Sequence, residues 1–235
     1  ERLGGMIAKT LFATARAPSH YAISGVLWEA SGKKLQLVAT DGHRLALAKG
    51  ALPKAAAKDV NAIVPAKLMS MIQRVAGDGE QTLDVRVTEN QILVRTARAV
   101  LVSSLVQGNF PKYADVIPRE ATRKASLGVE QFAHRIRQAA LLTNEESRGV
   151  KFSFAPEQLT LSSRAPETGE AEVNCPVSFE GEPVEIGFNP AFLADALKVA
   201  ETDEVTVEMT ESNKPALLTA GKDFLYVIMP VDLGQ

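Results

Sequence analysis

Two similar stretches of sequence decide the fold: GVLWEASGKKLQLVAT at residues 25–40 and GVKFSFAPEQLTLSS at residues 149–163. Each alternates apolar and polar residues on both sides of a short turn, which is the pattern of a half-buried β-hairpin. The turns fall at Ser31-Gly32 and at Ala155-Pro156-Glu157. The hairpins begin at residues 25 and 149, an offset of 124, so we expect one structural unit to occur twice.

Other matches keep nearly the same offset and indicate a tandem duplication. They are Pro65–Leu68 with Pro190–Leu193, and LDVRVTEN at 83–90 with VTVEMTES at 205–212. The 235 residues suffice for two domains of ordinary size. We expect these domains at 1–118 and 119–235, joined near FPKYADVIPRE, where prolines interrupt regular structure.

The order of elements is the same in both copies. A helix at about 4–15 or 129–143 precedes the hairpin, and a second helix begins at Pro65 or Pro190, since proline is tolerated in a first helical turn. Alternating strands follow. The fold class predicted is α+β, with two helices packed on a curved antiparallel sheet in each domain. The expected buried stripes are Phe132, Ile136, Ala139, Ala140 and Thr143 on one helix, and Leu68, Met71, Ile72 and Val75 on another.

The composition is that of an ordinary globular protein and excludes one that spans a membrane. Hydrophobic residues make up 46% of the chain and charged residues 23%, the net charge is −2, and no apolar run approaches a membrane span. The single cysteine, Cys175, has no internal disulfide partner and no neighbouring metal-ligand pattern. The N-terminus ERLGGMIAKT lacks a secretory signal pattern and begins inside a domain. We therefore expect a cytoplasmic location and an incomplete sequence.

The charges are unevenly distributed. Acidic residues concentrate on strands and their turns, whereas the helices carry basic residues; Lys67 and Arg74 share one helix face with Ser70. Solvated helix faces often carry such residues, so one interpretation is purely structural. The other is a surface that faces phosphates without reading bases. The basic candidates on helices are Lys9, Arg16, Lys67, Arg74, Arg135, Arg137 and Lys198.

The segment VATDGHRLALA at 38–48 brings Asp41, His43 and Arg44 close together in sequence. A hydrolase using Asp41 and His43 is one hypothesis. The other is a tight Asp41-Gly42 turn between apolar strands, with His43 and Arg44 projecting from it. The sequence lacks a nucleophile pattern, a phosphate-binding glycine loop and paired metal ligands. We therefore predict no catalytic residues, no metal and no cofactor.

Five segments together resemble the bacterial β sliding clamp of DNA polymerase III. ATDGHRLA at 39–46 is the most specific of them. The others are GNFPKYADVIP (108–118), LLTNEESRGV (141–150), EIGFNPAFLADAL (185–197) and YVIMPVDL (226–233). The resemblance covers nearly the whole chain. It implies the second clamp domain without its opening strand, and the third domain, with the first domain absent.

The resemblance also implies a function. Clamp protomers, as in a homodimer, close into a ring around duplex DNA with helices lining the hole, and partners such as the replicative polymerase, the clamp loader and repair proteins dock through peptides. These peptides carry a glutamine, then leucines and a terminal phenylalanine, and bind an apolar groove between the second and third domains. In this chain the groove would comprise Ile23, Thr40, Gly42, His43, Arg44, Leu45, Pro111, Val116, Asn189, Phe192, Val227, Ile228, Met229, Pro230 and Val231.

Several residues extend or depart from the family pattern. His20 and Tyr21 lie in a loop where the family contacts DNA. Phe192 stands where tyrosine is common, and Asp115 stands where a basic residue is expected at the groove rim. The tail continues as Asp232-Leu233-Gly234-Gln235, beyond the usual end. An alternative function is a clamp-derived protein-binding scaffold that does not encircle DNA.

Overall fold

The computed structural model describes residues 2–76, 82–143, 149–165 and 169–233. The chain divides into two compact units, Glu1–Tyr113 and Ala114–Gln235, called here the N-terminal and C-terminal units. The division falls inside the FPKYADVIPRE stretch, slightly before the expected boundary at residue 118.

The N-terminal unit contains helices packed on antiparallel strands. In chain order its elements are α1 (Leu3–Leu11), β1 (Gly25–Ser31), β2 (Lys34–Thr40), β3 (Arg44–Ala51), β4 (Val60–Pro65), α2 (Ala66–Ala76), β5 (Asp84–Val87), β6 (Gln91–Arg95) and β7 (Val100–Ser104). Within this unit the strands pair in the orders β3-β2-β1-β4 and β5-β6-β7, and every pair is antiparallel.

The C-terminal unit repeats this plan with additional strands. Its elements are β8 (Arg123–Gly128), α3 (Val129–Ala139), β9 (Val150–Ala155), β10 (Gln158–Ala165), β11 (Gly169–Pro176), β12 (Ser178–Glu180), β13 (Val184–Phe188), α4 (Pro190–Lys198), β14 (Glu204–Met209), β15 (Ala216–Ala220) and β16 (Phe224–Ile228). The strand orders within the unit are β12-β8-β14-β15-β16 and β11-β10-β9-β13. The predicted α+β class, with two helices on antiparallel sheet in each copy, is confirmed.

The core of the N-terminal unit lies between the helices and the sheet. On α2 the buried residues are Leu68, Met69 and Ile72, and the indole nitrogen of Trp28 lies 3.2 Å from the Met69 sulfur. The prediction that Met71 belongs to the buried stripe is wrong, because its side chain is 40% exposed. On a helix of about 3.6 residues per turn, positions 69 and 71 flank the 68–72 stripe on opposite sides, and the side that carries Met69 is the one that the unit covers.

Aromatic side chains fill the core of the C-terminal unit. The ring of Phe152 on β9 meets Phe188 on β13 at 5.4 Å and Phe132 on α3 at 6.3 Å, both near edge-to-face. All three are almost completely buried. Such pairs contribute roughly 0.5–1.5 kcal/mol each beyond the area that they bury.

The first helix of each unit, α1 or α3, ends about four residues earlier than the periodicity predicts. The helix α1 stops at Leu11, because the backbone N–H of Ala15 donates to the carbonyl of Ile23 at 2.9 Å and not to the preceding turn. The helix α3 stops at Ala139, whose carbonyl accepts a 2.7 Å bond from the Ser163 hydroxyl. These tertiary hydrogen bonds satisfy groups that a longer helix would pair internally.

Candidate functional site

The Asp41-Gly42 turn between β2 and β3 is held by its own side chains. The Asp41 Oδ1 atom accepts hydrogen bonds from the backbone N–H groups of His43 at 2.9 Å and Arg44 at 3.1 Å. The Thr40 hydroxyl accepts from the Gly42 N–H at 3.1 Å and donates to the Arg44 carbonyl at 2.7 Å. Gly42 has φ of 91°, a conformation that costs glycine little. The tight turn inferred from the sequence therefore has a specific local cause.

Arg44 connects this turn to the end of α1. Its Nε donates to Asp41 Oδ2 at 3.0 Å, and its Nη2 donates to the Phe12 carbonyl at 3.0 Å. The guanidinium also lies 5.4 Å from the centre of the Phe12 ring, within cation–π range. His43 and Arg44 were predicted to project from the turn; His43 is exposed, whereas these contacts hold Arg44 half-buried against the unit. Both carboxylate oxygens of Asp41 are thus engaged in structure.

The other groove candidates of the N-terminal unit are less exposed. Ile23, Thr40 and Leu45 are buried, and Pro111 is half-buried. The backbone carbonyl of Ile23 anchors the segment after α1, since it accepts the Ala15 N–H. Within this unit the structure brings Thr40, Gly42, His43, Arg44 and Leu45 together at one turn.

In the C-terminal unit the candidates gather at the start of α4 and the end of β16. Asn189 caps α4, because its Oδ1 accepts the Ala191 N–H at 3.0 Å, and Pro190 follows in the first turn. The carbonyl of Phe192 accepts a 2.9 Å bond from the Tyr226 hydroxyl, which joins the first turn of α4 to β16. Phe192 itself is half-buried.

The segment after β16 runs along β13. Val227 and Ile228 are buried, Met229 is 39% exposed, and Pro230 and Val231 are half-buried. The Val231 N–H donates to the Gly187 carbonyl at 2.9 Å. A Cβ at Gly187 would lie 2.5 Å from the Val231 carbonyl oxygen, so glycine permits this close approach. The exposed Val116 is the remaining candidate of this unit.

The structure divides the candidate DNA-facing residues into two groups. Lys9 is only 5% exposed, because it lies on the side of α1 that packs against the unit, and the prediction that it faces outward is wrong. Arg135 is half-buried: its Nε is enclosed and its Nη1 donates to Gln138 Oε1 at 3.0 Å. The exposed candidates are Arg16, His20, Tyr21, Lys67, Arg74, Arg137 and Lys198.

The charge of Arg135 also acts on the buried thiol of Cys175. Burial raises the pKa of the Cys175 thiol, and the positive charge of Arg135 opposes that rise. We remove Arg135, together with Lys9, from the set of outward-facing cations.

Three residues that position the site escaped the sequence interpretation. They are Phe12, Tyr226 and Gly187, which hold Arg44, Phe192 and the tail respectively. Tyr226 lies in the YVIMPVDL segment and Gly187 in the EIGFNPAFLADAL segment, so the sequence located both residues but not the contacts that they make. Phe12 acts through a backbone carbonyl, for which a sequence carries no signal. Part of LLTNEESRGV, residues 144–148, and the Gly234-Gln235 end lie outside the described residues.

No group of three or more His, Cys, Asp or Glu residues in the described ranges is arranged to hold a metal ion. No helix among these residues is both long and apolar enough to cross a membrane.

The tandem α+β units and their turn and tail segments define the architecture of a sliding clamp subunit. Two family models match the chain in order: the central domain of the DNA polymerase III beta subunit over residues 1–112, and its C-terminal domain over residues 114–232. The chain belongs to the DNA polymerase III beta subunit family.

Individual relatives agree with this assignment. The beta sliding clamp of Vibrio cholerae is 36% identical over 233 residues, a match that covers 98% of this chain and 63% of the relative. The crystal structure of the DNA polymerase III subunit beta from Pseudomonas aeruginosa superimposes with a TM-score of 0.94 at 32% identity, covering 98% of this chain and 64% of that one. The sliding clamp of Bacillus subtilis gives a TM-score of 0.93 at 31% identity, covering 98% and 62%. The chain thus spans a little under two thirds of these proteins.

Proposed function

We propose that the chain supplies the central and C-terminal domains of a bacterial DNA sliding clamp, a non-catalytic and cytoplasmic processivity factor. The observation that carries this proposal is the match of both family models, in their natural order, over nearly the whole chain. The names of the relatives support it. Full-length protomers would associate into a ring around duplex DNA. A closed ring stays on DNA by topology, so weak, sequence-independent phosphate contacts are sufficient.

The proposed DNA contacts are the exposed members of the basic set. Arg16, His20 and Tyr21 belong to the segment that follows α1, and Lys67 and Arg74 lie on the exposed face of α2. Arg137 and Lys198 are the exposed cations of α3 and α4. Such side chains can approach phosphates without losing buried partners, whereas Lys9 and Arg135 cannot.

We further propose that the segment around Met229 binds the apolar anchors of partner peptides. Peptide recognition of this type needs accessible apolar side chains on a rigid support. Met229 is exposed, and the hydrogen bonds of Tyr226 and Val231 hold the strand and tail on either side of it. For the N-terminal unit, we propose the rigid turn at Thr40–Leu45 as a peptide-contacting surface. Partners would be the replicative polymerase, the clamp loader and other proteins that carry such peptides.

Fluorescence anisotropy of a labelled Gln-Leu-Ser-Leu-Phe peptide, titrated with the chain, tests this proposal. We expect saturable binding that Met229→Ala weakens about tenfold, since this corresponds to about 1.4 kcal/mol, less than the burial of one methionine contributes. Met71→Ala is the matched control, because Met71 and Met229 are 40% and 39% exposed and Met71 lies on α2. The control should bind like the wild type.

The outcomes separate the candidate functions. Equal binding by both variants would remove Met229 from the site, and no binding by a demonstrably folded chain would contradict the peptide-binding role. Peptide binding by a full-length protein that fails to remain on circular DNA would favour the scaffold without a ring.

A further inference from the structure

The two units cover the glycine at the start of their first hairpin in different ways. In the N-terminal unit, a Cβ placed on Gly25 would lie 3.0 Å from the Ile63 side chain. The repeat aligns Gly25 with Gly149 and Ile63 with Gly187, both at an offset of 124 (149 − 25 and 187 − 63). The C-terminal unit therefore has no side chain at the position from which Ile63 covers Gly25.

The tail of the C-terminal unit fills this space with Leu233. A Cβ on Gly149 would overlap a Leu233 methyl group, and a Cβ on Gly187 would lie 2.8 Å from Leu233 Cγ. One side chain thus lies over both glycines, which together are called the glycine notch. Leu233 is 41% exposed, so the notch covers more than half of its surface. The tail supplies to this unit the apolar side chain that Ile63 supplies to the other.

Met229 lies between two points at which the chain is held. Before it, Ile228 pairs with Ala216 at the end of β16. After it, the Val231 N–H donates to the Gly187 carbonyl at 2.9 Å. A hydrogen bond at an accessible edge contributes little net free energy, because water competes for both groups. The apolar contact of Leu233 beside this bond therefore strengthens the second point.

We propose that Leu233 is a positioning residue for the peptide-binding surface. Packed into the glycine notch, it holds the tail against β13 and so fixes Met229 in the place where a partner peptide meets it. This inference rests on the proposed peptide-binding function of Met229. Its physical basis is preorganisation, since a segment that is already held in place does not have to be ordered when the peptide binds.

NMR of the whole chain, labelled with ¹³C at the methionine methyl groups, tests the positioning without any peptide. The chain contains five methionines, Met6, Met69, Met71, Met209 and Met229. The variant Met229→Ala identifies the signal of Met229. In Leu233→Ala we expect this signal to move toward that of a mobile methionine, while the other four keep their positions and show that the variant is folded. An unchanged Met229 signal would overturn the proposal.

Peptide affinity provides the second measurement, with a matched pair of glycine substitutions. Leu233→Ala and Gly149→Ala should each weaken binding of the Gln-Leu-Ser-Leu-Phe peptide about threefold, because the peptide must then order the tail. The double variant should bind like either single variant, since both substitutions remove the same contact. Gly128→Ala is the control, because Gly128 has an ordinary φ of −66° and no atom lies within 4 Å of the new Cβ. Leu233→Ile should restore most of the affinity.

The role of Leu233 and the proposed function fail in different ways. If the folded wild type binds no peptide, the peptide-binding function is contradicted, and the Met229 signal alone decides whether Leu233 positions this residue. If the wild type binds and Leu233→Ala binds equally well, the peptide-binding function stands and the role of Leu233 is overturned. An equal loss of affinity from Gly128→Ala and Gly149→Ala would also overturn it, because the effect would then not come from the glycine notch.

Discussion

The strands β5 and β14 have similar sequences but different surroundings. Both alternate valine with polar residues, yet Val207 is buried and Val85 is 40% exposed. The difference comes from a neighbour, since β8 covers β14 and no described strand covers the same side of β5. The pair shows that a strand pattern specifies which side chains can be buried, whereas the sheet decides whether they are.

The sharpest test of this comparison places a charge on each strand. Val207→Asp should destabilise the C-terminal unit by about 3–5 kcal/mol, because the carboxylate would be enclosed without a partner. Val85→Asp should change the stability of the N-terminal unit by less than about 1 kcal/mol, as substitutions at exposed sites do. Urea denaturation, followed by probes in each unit, measures both values. Equal destabilisation would mean that β5 is covered as completely as β14.

A second pair of strands, β4 and β13, makes the same backbone contact in the two units. The tail residue Val231 donates its N–H to the Gly187 carbonyl on β13 at 2.9 Å, and Val106 donates to the Ile63 carbonyl on β4 at 2.9 Å. The repeat therefore preserves this contact. The side chains differ, since glycine occupies position 187 and isoleucine position 63.

We expect Gly187→Ala to displace the tail. The added Cβ would meet the Val231 carbonyl oxygen at 2.5 Å and the Leu233 side chain at 2.8 Å. Overpacking of this kind typically costs about 1–3 kcal/mol. Hydrogen exchange at Val231 and thermal denaturation measure the effect. Gly4→Ala in α1, where no atom lies within 4 Å of the new Cβ, should leave stability unchanged or raise it, and a larger loss there would contradict the steric explanation.

The smallest expected effect on stability concerns the hydrogen bond between Tyr113 and Glu29, which has a different counterpart in the C-terminal unit. In the N-terminal unit the Tyr113 hydroxyl donates to Glu29 Oε2 at 2.5 Å, whereas Ser153, the counterpart of Glu29, donates its hydroxyl to Glu185 at 3.1 Å. Tyr113→Phe should destabilise the N-terminal unit by about 1 kcal/mol at pH 7. Denaturation of both proteins in urea measures this difference.

The Tyr113 contribution should depend on pH in a defined direction. Burial, and then the hydrogen bond and negative charge of Glu29, raise the pKa of Tyr113 above its usual value. The raised pKa means that the folded state holds the Tyr113 proton more tightly than the unfolded state does. The contribution of Tyr113 to stability is therefore complete below about pH 10, the pKa of an unfolded tyrosine, and decreases as the pH rises through the pKa of the folded state. The stability difference between the wild type and Tyr113→Phe should therefore narrow at pH 11. A constant difference would argue against a raised pKa of Tyr113 in the folded state.

Periodicity and repetition predicted the architecture because burial and strand alternation follow regular spacing. The duplication, both hairpins and the proline-started helix α4 could be located in this way. The ends of α1 and α3 could not, since Ile23 and Ser163 decide them from distant positions. The sequence predicted that Met71 is buried, whereas Met69 is. The two methionines are equally hydrophobic and lie on either side of the buried stripe of α2, so the pattern could not distinguish them.

The site was predictable to a smaller extent. Spacing located the Asp41-Gly42 turn, and the family resemblance selected the candidates around it and around Met229. Neither could show that Arg44 is held by the carbonyl of Phe12, or that Lys9 faces inward while Arg16 is exposed. Such distinctions depend on tertiary packing and on backbone atoms, which are the same in every residue.

The position of β8 has a consequence for how the C-terminal unit forms. Arg123 begins β8, the first strand of the unit, yet its partner in the sheet is Met209, so α3, α4 and the strands β9 to β13 lie between them along the chain. During synthesis β8 emerges long before β14. Until β14 is made, β8 can pair within its sheet only with the short strand β12. Long-range pairing of this kind slows folding and makes it cooperative. A ribosome that pauses before Met209 would hold a chain whose opening strand is still exposed to other β edges.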